Sequence, residues 1–173
     1  MLTKFAAAFA GLMLISGPAA AQGAKPNDAQ IAHIAYTAGV IDITAAKQAL
    51  KKSTNKDVRT FATDMVRDHS AVNKQALALV KKLKVTPEDN DTSKALSKQA
   101  ADKLAELAKL NGNVFDKAYV DNEVAYHKAV DGALETTLIP NASNAELKSL
   151  LQTGLKIFQG HEQHAEHVAM ELK

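Results

Sequence analysis

Residues 144–172 read NAELKSLLQTGLKIFQGHEQHAEHVAMEL. Leu147, Leu150, Leu151, Ile157, Phe158, Val168 and Leu172 fall on one face of a helix with 3.6 residues per turn. Ser143-Asn144-Ala145-Glu146 has the spacing of a capping box, so the pattern predicts a helix over about 144–172. His161 stands one turn after Ile157 and Phe158, with His164 and His167 at further steps of three. Each such step falls ~60° short of a full turn, so His161 and His164 are expected to converge while His167 drifts ~120° from His161. An imidazole on a buried stripe is costly unless its nitrogens find partners. The stretch therefore asks for a buried hydrogen-bond network or a metal.

Three further stretches carry the same kind of stripe. Ile31, Ile34, Ala38, Ile41, Ala45 and Ala49 predict a helix over about 28–52, opened by Asn27 with Gln30 three places on. Val58, Phe61, Met65, Val72, Ala76, Leu79 and Leu83 predict a second over about 56–84, with Ser53-Thr54-Asn55 as cap candidates and Asp57 in the first turn. A third is expected over about 113–138, starting at Asn113 with Asp116 in its first turn. Between the second and third, Thr86-Pro87-Glu88-Asp89-Asn90-Asp91 breaks the chain, and residues 92–110 read as a shorter helix ending at Asn111-Gly112.

Helices of this length span ~40 Å and bury their stripes best against one another, which predicts an all-α four-helix bundle. Short joints make antiparallel hairpins of the first and second and of the third and fourth long helices. The connection from Val85 to Gly112, with its shorter additional helix, can return the chain along the bundle in a ferritin-like arrangement. A simple up-down bundle with a side helix is the alternative topology.

The chain has 173 residues, no cysteine, and 21 basic residues against 19 acidic. Lys4, the apolar run Phe5–Ile15, the break Ser16-Gly17-Pro18 and the small residues Ala19-Ala20-Ala21 read as a cleaved secretory signal over 1–21. Residues 22–173 are expected to form a single domain, exported to the periplasm or secreted, without a stable membrane anchor. The apolar run is shorter than the about 20 residues that span a bilayer. Arg59 and Arg67 are the two arginines, and no basic stripe with interleaved aromatics forms, so nucleic acid is not an expected partner. Protein partners are not legible. No Gly-rich phosphate loop, nucleophile elbow or Cys/His nucleophile arrangement is present, and the expectation leans away from catalysis.

Polar residues interrupt each stripe. Asp42 borders the apolar face of the first helix. His69, four after Met65 and three before Val72, lies on that of the second, with Asp68 beside it. On the third, Glu123 and His127 are one turn apart in line with Val120, Val130 and Leu134. His69, Glu123, His127 and His161, with Asp42 and His164 in support, are therefore the candidate metal ligands, because facing stripes of a bundle must meet. Imidazole with carboxylate suits Zn, Cu(II), Ni or Fe, the metal itself being left open. The alternative is a metal-free interaction or envelope-stress bundle in which histidine and carboxylate satisfy one another and fix register. His33 and His167 read as solvent-facing, Asp116 as a helix N-terminal acid, and Tyr119 as a core residue with a polar tip.

At these residues the chain resembles an exported bacterial family catalogued as domain of unknown function 4142. The resemblance rests on Phe61-Ala62, Met65-Val66 and Asp68-His69-Ser70, then Phe115-Asp116, Tyr119-Val120 and His127, then Leu155 and His161. It implies a periplasmic ferritin-like bundle and transfers no established activity. Lys156 stands where relatives commonly have proline, and Asp42 where they commonly have glutamate. No Glu-x-x-His step occurs, although carboxylate-bridged di-iron members of ferritin-like folds use it twice, so oxidase or iron-storage chemistry is poorly supported.

Overall fold

The computed structural model describes residues 25–172, so the leader read over 1–21 lies outside the described residues. Among the described residues there are five principal helices: α1 (Asp28–Lys52), α2 (Lys56–Leu83), α3 (Asp91–Ala108), α4 (Gly112–Ala133) and α5 (Ala145–Glu171). No strand occurs among the described residues.

The caps explain most boundaries. Asn27 accepts from the Gln30 amide at 2.9 Å while the Gln30 side chain accepts from the Asn27 amide at 3.2 Å, the reciprocal pair that starts α1. The Asn55 side chain takes the amides of Asp57 and Val58, and Lys84, in the left-handed region at φ 53°, closes α2. At α5 the expected cap shifts by one residue. Asn144 accepts from Glu146 and Leu147, while the Ser143 and Asn144 amides donate to the Asp28 carboxylate at 2.8 and 2.9 Å. That carboxylate holds Ser143 out of the capping position.

The end of α4 also differs from the expected single helix to residue 138. After Ala133 the chain widens into a π turn, Leu134–Leu138, and closes with a short turn, Ile139–Asn141. Pro140 supplies the reason: its ring would clash with the carbonyl four residues back, and it has no amide to donate. A widened turn, with the Ile139 amide on the Leu134 carbonyl, absorbs the misfit.

Specific hydrogen bonds set the course of the long connection. Near the start of α1 the Glu88 amide donates to the Ala29 carbonyl at 3.1 Å. Near its end, Gln48 Nε2 donates to Leu104 at 3.0 Å and Lys52 Nζ to Ala108 at 3.0 Å. Thus α3 runs alongside α1 and returns the chain to the Lys52 end, so α2 and α4 both descend toward Asp28. Around the bundle, α1 packs on α2, α2 on α5, α5 on α4, and α3 covers α1 from outside.

The core falls into two apolar clusters. Phe61, Met65, Phe115 and Tyr119 fill the upper one against Ala45, Ala46 and Ala49, whose small side chains let α1 approach closely. Full burial of each large side chain contributes on the order of 1.5–3 kcal/mol. Ile31, Leu134, Leu138, Leu147, Leu151 and Phe158 form the lower cluster. Each helix of the bundle passes from one cluster to the other, and at that crossing each carries a buried polar residue: Asp42, His69, Glu123 with His127, and His161.

Candidate metal centre

Those five residues meet in one layer, and none is more than 6% exposed. Ring centroids are 5.8 Å apart for His69 and His127, 5.2 Å for His69 and His161, and 5.6 Å for His127 and His161. One nitrogen from each ring lies within 4.8 Å of the others. An oxygen each of Asp42 and Glu123, with a nitrogen of His127, forms an adjoining group of the same span.

Two of the imidazoles turn one nitrogen outward to a protein acceptor. His127 Nδ1 donates to the Glu123 carbonyl at 2.9 Å, one helical turn back, which leaves Nε2 as the lone-pair nitrogen. His161 Nε2 donates to Asp68 Oδ2 at 3.0 Å, leaving Nδ1. His69 Nδ1 faces Asp42 Oδ2 at 3.5 Å, too long for a good hydrogen bond. Both nitrogens of His69, with His127 Nε2 and His161 Nδ1, are buried without a hydrogen-bond partner. Acceptors behind imidazoles fix the tautomer and aim the free lone pair, as they do around bound metals.

Burial keeps these imidazoles neutral. Burial, reinforced by the neighbouring His161 and His127, lowers the His69 pKa to about 2. Burial lowers that of His127 to about 4 against the opposing hydrogen bond to Glu123. His161 is also lowered by burial, although Asp68 pulls it the other way. Asp68 itself is held at about 2, first by its bond to Arg67, whose Nε and Nη2 reach the carboxylate at 2.7 and 2.8 Å. An ionised Asp68 is thus fixed behind His161. Burial and mutual repulsion raise Asp42 well above the ordinary carboxylate range, and burial raises Glu123. Asp42 Oδ1 and Glu123 Oε2 are likewise buried without partners.

Of the six candidate ligands, the structure brings together Asp42, His69, Glu123, His127 and His161. His164 stands apart, which corrects the expected pairing with His161. Its side chain is 34% exposed, its Nδ1 is 4.0 Å from Asp64 Oδ2, and its ring meets Phe61 edge-on at 5.3 Å. The three-residue step turns it toward the Asp64 side of α2 and away from the layer. Two smaller expectations also change. His33 is half-buried, and Asp116 is buried beyond the first turn of α4 rather than serving as a helix N-terminal acid. His167 is exposed and Tyr119 fully buried, as their positions suggested.

Sequence reasoning misses two contributors. Asp68 reads only as a flank of His69, yet it is the acceptor for His161 across the α2–α5 interface. Phe158 reads as an ordinary stripe residue, but its ring stacks on His69 at 4.5 Å and 10°. A fourth buried acid, Asp131, continues the Glu123–His127 row by one more turn, a spacing visible in the sequence.

The fold and this layer define an all-helical protein whose core holds histidine and carboxylate groups able to coordinate a metal ion. The chain belongs to the family described as Domain of unknown function (DUF4142), whose model matches residues 15–168. No curated protein matches the chain, and no solved structure does. None of the described helices is long and apolar enough to cross a membrane.

Proposed function

We propose that this protein is an exported, ferritin-like four-helix bundle that holds one divalent transition metal ion through His69, His127 and His161. The observation that carries this reading is the set of three buried, partnerless imidazole nitrogens, two of them in rings whose other nitrogen donates to a protein acceptor. Such a set lacks electron-pair acceptors. With the His69 proton on Nδ1, toward Asp42, the three inward nitrogens are all lone pairs, and protonation is opposed by burial. A Lewis acid satisfies all three together. Tetrahedral bonds of ~2.05 Å place donor nitrogens ~3.3 Å apart, so the present spread of up to 4.8 Å closes by about 1.5 Å on binding.

Asp42 and Glu123 border the ion and are available as a fourth ligand or as acceptors for the ligand rings, while His164 remains outside. Three imidazoles without thiolate suit Zn, Cu(II), Ni or Fe(II). The return of the chain by α3, with α2 and α4 running in the same direction, supports the ferritin-like topology. The reading of residues 1–21 as a signal supports export.

Elemental analysis of untagged protein, followed by titration with Zn(II), Co(II), Cu(II) and Ni(II), tests the assignment. One ion per chain is expected, and replacing His69 and His161 together by Ala should abolish it while helical content persists. Equal metal content in wild type and double variant would establish the metal-free bundle instead, with the histidines serving packing alone.

A further inference from the structure

The lower apolar cluster borders a partly open cavity of about 700 Å³ between α1, α2, α3, α4 and α5, lined by residues including Ala35, Val72, Leu134, Leu151, Gly154 and Phe158. The upper cluster is filled by aromatic rings, whereas here α1 and α4 present Ala35, Ala38, Ala129 and Ala133 among larger residues, and α1 packs chiefly on α2 and α3. The size lies within the about 300–1,000 Å³ of small-molecule sites. Unfilled apolar space costs stability in proportion to its volume, and water gains little from walls that offer few hydrogen-bonding groups. The cavity's chemistry is that of a receptor for a ligand.

We propose that this cavity is a binding site for a neutral, single-chain apolar molecule with an uncharged polar end, such as an isoprenoid or long-chain alcohol or quinone. Charge selects this class. Among the described residues lining the cavity there is no lysine, arginine or histidine, and the one formal charge is Asp91. A fatty-acid carboxylate or a phosphate head would meet no counter-charge and one repulsive acid. Gln30, Asn90 and Thr92 gather where α1 and α3 begin and offer hydrogen bonds to an uncharged head. Farther in, the Tyr126 hydroxyl is already engaged, donating to the Ala38 carbonyl at 3.3 Å, and Asn73 Nδ2 makes only a long contact with the Tyr36 carbonyl at 3.5 Å. The polar end thus lies toward the Gln30 rim and the apolar chain runs inward to Phe158. Because Phe158 also stacks on His69, the inner end of the ligand is one aromatic ring away from the histidine layer. The proposal stands independently of whether a metal binds there.

Fluorescence titration of the purified protein with the neutral probe N-phenyl-1-naphthylamine tests it. Saturable binding of one probe per chain is expected, displaced by farnesol, with laurate, an anion of similar chain length, at least tenfold weaker. Ala35→Phe and Gly154→Leu each place new atoms in the cavity and should weaken probe binding at least tenfold. A Cβ added at residue 154 would lie 3.4 Å from Phe158 Cε2, in ordinary contact, so the backbone tolerates it and the rest of the leucine side chain takes up cavity space. Val114→Ser, on an exposed side chain elsewhere, should leave binding unchanged. Circular dichroism confirms folding of each variant, and if either cavity variant fails to fold, the farnesol–laurate comparison on the wild type decides. Absence of saturable binding, equal displacement by laurate, or undiminished binding in the folded cavity variants would overturn the proposal.

Discussion

Replacing His69 by Leu should stabilise the metal-free protein and remove its response to metal. Both ring nitrogens of His69 are buried without a hydrogen-bond partner, and the closest acceptor, Asp42 Oδ2, is 3.5 Å from Nδ1. A buried unsatisfied polar group costs ~1–3 kcal/mol, so the two nitrogens together burden the metal-free fold by ~2–6 kcal/mol. Leucine has a volume close to that of histidine and no polar atom. Against this gain stands the stacked contact with Phe158 at 4.5 Å, a type of pair contributing ~0.5–1.5 kcal/mol. Asp42 retains Glu123 beside it and loses little. The net stabilisation is on the order of 2 kcal/mol, or ~4–8 °C in Tm for a domain of this size. With metal at a hundred times its Kd, the wild type should gain ~2.7 kcal/mol and the variant nothing, so the metal-free order closes or reverses. Thermal unfolding of both proteins, stripped with chelator and then reloaded with Zn(II), provides the assay. A metal-free variant less stable than the wild type would refute the reasoning, because it would show that the imidazole is already satisfied as a structural element.

Asp68→Asn keeps the shape of the acceptor behind His161 but removes its charge, and should weaken metal affinity ~10–100-fold at unchanged stoichiometry, measured by competition against a chromophoric chelator. Phe61→Ala should destabilise the protein by ~3–5 kcal/mol in denaturant titration while leaving metal stoichiometry intact, since Phe61 is fully buried in the upper cluster and outside the layer. Asp131, whose pKa burial raises to about 7 with help from Glu162 and Glu135, should make the wild type lose stability relative to Asp131→Asn as pH climbs from about 4 through 7. The sign is set by the raised folded-state pKa, which favours the protonated carboxyl, an advantage present at low pH and lost on ionisation. Tm differences measured at pH 5 and pH 8 check it, and an equal gap at the two values would contradict it.

The parts of the structure legible in sequence are those governed by local periodicity. The stripe Val58, Phe61, Met65 and the Asn55 cap define α2 without reference to the rest of the chain, and α1 likewise starts where Asn27 and Gln30 pair. The histidine layer is legible for a related reason: a polar residue on an apolar stripe must face the other stripes. His69, His127 and His161 meet because each stands where its helix passes between the two apolar clusters.

The stripes do not determine angular position more finely than a face. His164 is three residues from His161, and that ~60° lag carries it from the layer to the neighbourhood of Asp64 and Phe61. Asp68, ~100° around α2 from His69, is brought to His161 by the packing of α2 on α5, which depends on partner choice and crossing rather than on either helix alone. The π turn depends on Pro140 falling inside a helix that still has side chains to bury, Leu134 and Leu138, so the backbone widens where a terminal helix would have stopped. The same interhelical geometry creates the lower cavity: small residues at helical spacing ordinarily mark close approach, as Ala45, Ala46 and Ala49 do near the Lys52 end of α1. Ala35 and Gly154 instead border open space, although Tyr126 and Val130 of α4 also line it. Periodicity thus selects the elements and the residues that face inward. The packing of one helix on another decides which of those inward residues touch, and the chemistry of the layer depends on those contacts.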